Sequence, residues 1–245
     1  MESNYTKTIP LYGDGIGKVE YVDHMGTDLT VVNSARVSFG KHKKDLDGRD
    51  TKLIKYLINH RHTSTLEHCS VTFRFKVPMF VRSQHHRHRT WSYNEISRRY
   101  TDFNIEFYEP KQFRTQHTSN RQASNPDDVV NPLLERYDPA CSHPMRILAS
   151  RIIQEHNNES LKLFDDLMSA GVCREQARGV LPQSMYTEYY GTVNLNNLLK
   201  FVDLRIHAGA QWEIQEAAKA CLEIATDLWP VTVNAYRDLR IDRAK

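Results

Sequence analysis

Val71, Phe73, Phe75 and Val77 alternate strictly with Thr72, Arg74 and Lys76, and Pro78 ends the run. Alternation with period 2 puts every large apolar side chain on one face of a strand, so this stretch requires a sheet with one packed and one wet face. Proline has no amide proton to give a ladder and stops it. The apolar stripes able to cover the packed face are helical and come later. Ile147, Leu148, Ile152, Leu161, Phe164 and Leu167 mark a long helix from Met145 to Met168, with Gly171 at its C′ position. Asn194 to Ala208 and Gln211 to Leu228 are two more, the second turning Trp212, Ala218, Cys221, Leu222 and Ala225 inward and stopping at Pro230. Strands early and helices late predict an α+β fold, a mixed sheet early in the chain packed with long helices, rather than alternating βαβ units. A chain of 245 residues with 40% hydrophobic and 26% charged residues supports one good-sized core, so residues 1–245 are read as a single domain.

The other elements follow from the same rules. Val19, Tyr21 and Val22, then Leu29 to Val32, are rich in β-branched residues and read as strands. Leu53, Ile54, Leu57 and Ile58 form a helical stripe with Asp50 or Thr51 as N-cap. Residues 80–100 lack a sustained stripe and read as a short helix followed by a loop. Phe103, Ile105 and Phe107 alternate and suggest a strand ending before Pro110. Residues 111–144, with Pro126, Pro132, Pro139 and Pro144, read as mostly loop with one helical turn at Leu133 to Arg136. A helical piece from Arg174 is ended by Pro182.

Several function classes are disfavoured at once. Lys plus Arg number 33 against 30 Asp plus Glu, a net +3 that is too mild for a nucleic-acid or membrane-surface protein, so neither partner is expected. The opening residues lack an apolar h-region, and no later run approaches the roughly 18 apolar residues of a membrane span, so a cytoplasmic protein is expected. Cys69, Cys141, Cys173 and Cys221 form no C-x-x-C pair, which fits a reducing compartment. Gly13, Gly15 and Gly17 lack the dinucleotide spacing and read as a turn. His60, His62 and His68 beside Glu67, like His85, His86 and His88, lack the H-E-x-x-H spacing, so helix-end hydrogen bonding is preferred and no metal is expected.

The run from Arg87 to Arg99 differs in kind, because it mixes guanidinium groups with His88, Ser92, Asn94, Glu95 and Ser97. Arginine binds phosphate and imide carbonyls through planar paired hydrogen bonds, and serine hydroxyls complete a phosphate cradle. A nucleotide-like ligand suits it. A charged face that touches nucleic acid, or metal-dependent nucleotide hydrolysis, are the readings to beat; the first implies salt-steep binding and no chromophore, the second loss of activity with chelators.

Arg87-His88-Arg89, seven residues and then Ser97, continuing as SYNEISRRY over Ser92 to Tyr100, resembles the signature of the flavin-dependent thymidylate synthases. STLEH from Ser64 to His68, QARGVLP from Gln176 to Pro182, TVNLNNLLKFVDLR from Thr192 to Arg205 and AQWEI from Ala210 to Ile214 resemble further blocks of that family in the same order. Four ordered blocks are far more specific than one short motif. The resemblance implies the family's α+β fold and the reductive methylation of dUMP to dTMP, with methylenetetrahydrofolate as carbon donor and FAD reduced by NADPH, in a homotetramer whose active sites are shared between subunits. It implies no cysteine nucleophile either, since the flavin-free synthase uses a Pro-Cys pair and none of the four cysteines follows a proline.

By motif position, the resemblance assigns FAD to Ser64, Arg87, His88, Arg89, Glu95, Asn194, Leu195, Asn196 and Lys200. It assigns dUMP to Gln84, His85, His86, Arg87, Glu95, Ile96, Ser97, Arg98, Arg99, Arg178 and Arg205. Arg205 is the expected catalytic residue: a fixed guanidinium near N3 and its carbonyl neighbours stabilises the negative charge that appears as C6 accepts hydride. Three positions depart from the family pattern, with Arg98 where small residues are common, Lys200 where Asn or His is frequent, and Gly209 where many members carry His. Lys200 would serve a pyrophosphate as a point charge.

Overall fold

The computed structural model describes residues 5–137 and 143–241; Pro139 and Cys141 lie outside the described residues. The strands are β1 Thr8–Pro10, β2 Lys18–Met25, β3 Ser70–Pro78, β4 Ser92–Glu95, β5 Phe113–Gln116, β6 Ser124–Val130, β7 Leu133–Arg136, β8 Met145–Leu148 and β9 Tyr186–Asn194. The helices are α1 Asp28–Arg36, α2 Gly48–Asn59, α3 Met79–His85, α4 Ala149–Ser169, α5 Arg174–Ala177, α6 Leu195–Arg205, α7 Trp212–Leu228 and α8 Pro230–Tyr236.

The main sheet has the order β1-β2-β3-β9-β4, and every pairing in it is antiparallel. The α+β class therefore stands, while the sheet is antiparallel rather than mixed and draws β9 from late in the chain. The alternation in β3 does what it requires. Val71, Phe73, Phe75 and Val77 are buried in one cluster with Leu198, Leu199, Phe201 and Val202 of α6 and Ile214, Ala218, Cys221 and Ala225 of α7. Burying a side chain of that size is worth about 1.5–3 kcal/mol, which is why the central strand and these two helices form the frame on which the site is hung. Trp212 and Leu222, expected inward, are only half-buried.

Several local expectations are corrected. Leu29 to Val32 is helix, not strand: Thr27 and Thr30 form a reciprocal capping box that starts α1, and only Val31 and Val32 of its apolar residues are buried. The N-cap of α2 is Asp47, whose carboxylate accepts from the amides of Arg49 (2.7 Å) and Asp50 (3.2 Å), rather than Asp50 or Thr51. Asp50 instead turns inward to pair with Arg36 (2.6 Å) and Lys43. Phe103 and Ile105 form no strand, and only Phe107 makes a bridge, to Met185. Among the described residues of 111–144, expected to be mostly loop, β5 pairs with β6, and β7 pairs with β8 where a helical turn and the start of the long helix were expected. That helix begins at Ala149, and Gly171 follows its C-cap with φ +87°. Pro230 opens α8 rather than merely ending α7, consistent with proline's tolerance of the first helical turn. Gly13 and Gly15, both at positive φ, turn the chain between β1 and β2, and Asp14 accepts from the amides of Ile16 (2.9 Å) and Gly17 (3.0 Å). No described helix is long and apolar enough to cross a membrane.

Candidate active site

β3 runs through Pro78 straight into α3, and β4 returns beside β9, so the residues after Pro78 are carried to one end of the sheet. There they line a cleft of about 740 Å³ with the α5 segment opposite. Glu95, Ile96, Ser97, Arg98, Arg99 and Arg178 all face it, so six of the expected nucleotide residues converge. An ion pair from Arg174 to Asp102 (2.6 Å) ties the two walls together.

Glu95 is the most constrained group there. Arg82 Nε donates to both carboxylate oxygens (2.9 and 3.0 Å), Arg82 Nη2 lies 2.8 Å from Oε2, and the Thr187 hydroxyl donates to Oε1 at 2.6 Å. A carboxylate so held presents its remaining lone pairs in fixed directions. Ser97 accepts the Arg99 amide (3.3 Å) while its carbonyl accepts the Tyr100 amide (2.9 Å), a tight turn that leaves the hydroxyl proton free to donate into the cleft. Arg99 and Arg178 are exposed. Arg98 is different: its side chain is buried and donates to the carbonyls of Phe103 (2.8 Å) and Asn104 (3.5 Å), so it props the following loop. Arg82 and Thr187 went unread in the sequence. Arg82 lies before the Arg87 to Arg99 run and nothing local marks its partner, and Thr187 reaches Glu95 only through the pairing of β4 with β9.

A second group lies where α3 ends beside the end of α6. Arg205 Nε donates to His88 Nε2 (3.0 Å) and Nη2 to the carbonyl of Gln84 (3.3 Å). His88 must then carry its proton on Nδ1. Burial, and then the Arg205 charge, push its pKa down to about 4, so the imidazole stays a neutral acceptor at neutral pH. The Gln84 amide donates to Gln211, which donates to the buried Glu213 (2.9 Å); Glu213 also receives Arg114 (2.6 Å) and the Tyr108 hydroxyl (3.1 Å). His85 is a core residue, packed on Phe75, Trp91 and Phe201, with Nδ1 at 2.8 Å from the Tyr189 hydroxyl and its pKa pushed well below normal by burial. Any nucleotide contact at His85 falls to the backbone. His86 lies against Tyr93, ring centroids 4.0 Å apart.

The third group is at the start of α6. Asn194 is its N-cap, accepting the Asn197 amide at 2.9 Å, Leu195 is wholly buried, and Asn196 donates to Glu67 (2.8 Å). Ser64, in a 3-10 turn over Thr63–His68, is exposed, as is Lys200. Arg87 and Arg89 are also exposed and form no side-chain hydrogen bond or ion pair with a described residue. Within one chain the expected residues thus fall in three places. Unpartnered guanidinium groups, an ammonium and a hydroxyl are the donor set a polyanionic dinucleotide requires, so these residues fit a flavin dinucleotide in kind. Among the described residues no three His, Cys, Asp or Glu side chains could hold a metal ion, and His60 bonds the Tyr56 carbonyl at 2.9 Å, the helix-end role read for it.

The likeness to known proteins bears on this arrangement. A family model described as thymidylate synthase complementing protein matches residues 20–231. A flavin-dependent thymidylate synthase of Thermus thermophilus is 39% identical over 237 residues, covering 97% of this chain and 81% of that protein. One of Thermotoga neapolitana is 40% identical over 223 residues, 90% of each. Among solved structures, the UMP/dUMP methylase PolB of Streptomyces cacaoi, bound with 5-Br dUMP, superposes with a TM-score of 0.74 at 30% identity, covering 95% of this chain and 98% of that one. With its ordered motifs carried on this fold, the chain belongs to the flavin-dependent thymidylate synthases.

Proposed function

We propose that the chain converts dUMP to dTMP, taking a methylene group from methylenetetrahydrofolate and reducing equivalents from NADPH through bound FAD, in a cytoplasmic homotetramer of single-domain subunits. The observation that carries this reading is the cleft itself, where a doubly held carboxylate faces a serine hydroxyl and two exposed arginines.

Ser97, Arg99 and Arg178 supply the donors a phosphate needs, and the clamp between Arg174 and Asp102 keeps their two walls at a set separation. Glu95 accepts from the sugar or base edge, its direction set by Arg82 and Thr187. Ile96 offers an apolar contact, and Gln84, His85 and His86 reach the nucleotide together with Arg205, whose guanidinium bonds the Gln84 carbonyl. Arg205 neutralises charge on the pyrimidine, held for that task by His88 and Gln84. Because Arg205 does not line the cleft of its own chain, the tetramer brings it to the nucleotide from another subunit. Ser64, Arg87, His88, Arg89, Glu95, Asn194, Leu195, Asn196 and Lys200 hold the flavin, through side chains or, at Leu195, the backbone. When bound, the flavin supplies hydride chemistry that side chains lack.

No cysteine is given a nucleophilic role. Cys69 and Cys221 are fully buried, and burial pushes the Cys69 thiol up to about 12 and Cys221 well above its usual range, so neither is a thiolate at neutral pH. Cys173 is exposed and donates to Gln176 at 3.6 Å.

The test is purification followed by turnover. The protein should be yellow, release free FAD on acid denaturation, and make dTMP from dUMP, methylenetetrahydrofolate and NADPH. Replacing all four cysteines by serine should leave that turnover within about tenfold, a packing cost rather than a chemical one. A colourless protein that stays inactive with added FAD overturns the reading. Loss of all dTMP formation in a folded, flavin-loaded cysteine-free variant overturns its mechanism.

A further inference from the structure

Glu213, near the start of α7, is only 4% exposed, a costly place for a carboxylate. Its two oxygens are used differently. Oε1 receives Arg114 Nη2 (2.6 Å) and the Tyr108 hydroxyl (3.1 Å), and the Arg114 guanidinium also lies over the Trp212 ring at 4.9 Å. These contacts fasten β5 and the segment before it to α7. Oε2 makes none of them: its bond is to Gln211 Nε2, at 2.9 Å. Fastening β5 accounts for one oxygen and leaves the other unexplained.

The bond to Gln211 sets a direction. Paired with Arg114, Glu213 is a carboxylate and can only accept. Gln211 must therefore turn its NH2 group toward Glu213, which gives its carbonyl oxygen to Gln84. Gln84 must offer its own NH2 group to that oxygen, and its Oε1 is left as the end of the relay, accepting no bond from a described residue. With an amide in place of the carboxylate, both glutamines could turn over and keep every bond. The backbone carbonyl of Gln84 meanwhile holds Arg205 (3.3 Å), the arginine assigned to the pyrimidine. The free amide oxygen thus belongs to the residue that anchors Arg205.

We propose that Glu213 is a positioning residue that selects uracil over cytosine: through Gln211 it fixes the Gln84 amide with its carbonyl oxygen toward the base. Uracil offers a ring N–H between two carbonyls, where cytosine offers a bare ring nitrogen, so a fixed acceptor attracts one and repels the other. The identity of the ligand rests on the function proposed above. Burial, and then the Glu213 charge, push the Tyr108 phenol up, so it stays a donor to Oε1 and leaves Oε2 to the relay.

The flavin-loaded full chain is titrated by calorimetry with dUMP and with dCMP, alongside Glu213→Gln, Gln211→Leu and the double variant. Glu213→Gln breaks the ion pair to Arg114 and should melt lower than the parent, whereas Gln211→Leu keeps that pair, which separates lost positioning from lost folding. Each single variant should bind dUMP about tenfold more weakly and dCMP no more weakly, the size of one hydrogen bond to the base. The double variant should lose no more than Gln211→Leu alone, since Glu213 acts through that residue. A parent that prefers dUMP to dCMP in this Glu213-dependent way but forms no dTMP refutes the proposed function and keeps the positioning role. Equal losses for dUMP and dCMP, additive losses in the double variant, or unchanged dUMP affinity in Gln211→Leu refutes that role.

Discussion

Arg205 and Arg99 are assigned to the same nucleotide, yet the chain holds them in opposite ways. Arg205 is half-buried, its guanidinium locked by an imidazole that stays neutral and by a backbone carbonyl. Arg99 is exposed, its guanidinium donating to the Tyr100 hydroxyl at 3.2 Å and lying over that ring at 5.3 Å. A charge already fixed in place needs no reorganisation when charge develops on a substrate, whereas a mobile one gains its contacts on binding and keeps them throughout. The rigid arginine should therefore govern the rate, and the mobile one the amount of substrate required.

The largest effect follows from the rigid member. Arg205→Ala should retain flavin and its reduction by NADPH while dTMP formation falls by about 10² to 10³, the loss of roughly 3–4 kcal/mol of transition-state stabilisation. Stopped-flow reoxidation of reduced flavin by methylenetetrahydrofolate at saturating dUMP reads it directly. Near-normal reoxidation would erase the distinction and leave Arg205 a structural arginine.

Arg99→Ala should act on binding, raising the apparent KM for dUMP by about tenfold with kcat little changed, as expected for a contact made equally in ground and transition states. A fall in kcat at saturating dUMP would put Arg99 with Arg205.

The smallest effect sharpens the comparison through pH. The folded-state pKa of His88 is pushed down to about 4, below the ordinary value of about 6.5, so its contribution to stability is complete above about pH 6.5 and is lost as pH falls toward 4. Protonated His88 cannot accept from Arg205, so the Arg205-dependent step should show no acid limb near pH 6.5. NMR titration of the His88 ring should give a midpoint close to 4, and a midpoint near 6.5 would mean that Arg205 is not held as described.

How far the sequence anticipates this molecule differs from place to place. The β3 alternation and the stripes of α6 and α7 identify strand, helices and core because each side chain's burial depends on one periodicity. Leu29 to Val32 misleads because a capping box outweighs β-branched composition. Residues 111–148 mislead for another reason: β6 and β7 are largely exposed, so their hairpins carry no hydrophobic alternation to read. In the site, the SYNEISRR block identifies the cleft-lining residues, since they are contiguous. The clamps from Arg82 and Thr187 on Glu95, from His88 on Arg205 and from Glu67 on Asn196 link distant segments. Only the tertiary fold brings those pairs together.

The order of the main sheet has a consequence for how the protein is made. β4, which carries Glu95, has β9 as its ladder partner, and β9 also closes the free side of β3. On a ribosome, the first half of the chain emerges with the β3 edge unpaired and four large apolar side chains waiting for helices not yet translated. Such an edge is a template for wrong partners until its own arrives, and non-local pairing of this kind is slow to form. The nucleotide cleft is therefore among the last parts to assemble, and a nascent chain stalled before residue 186 is a client for chaperones rather than a partial enzyme.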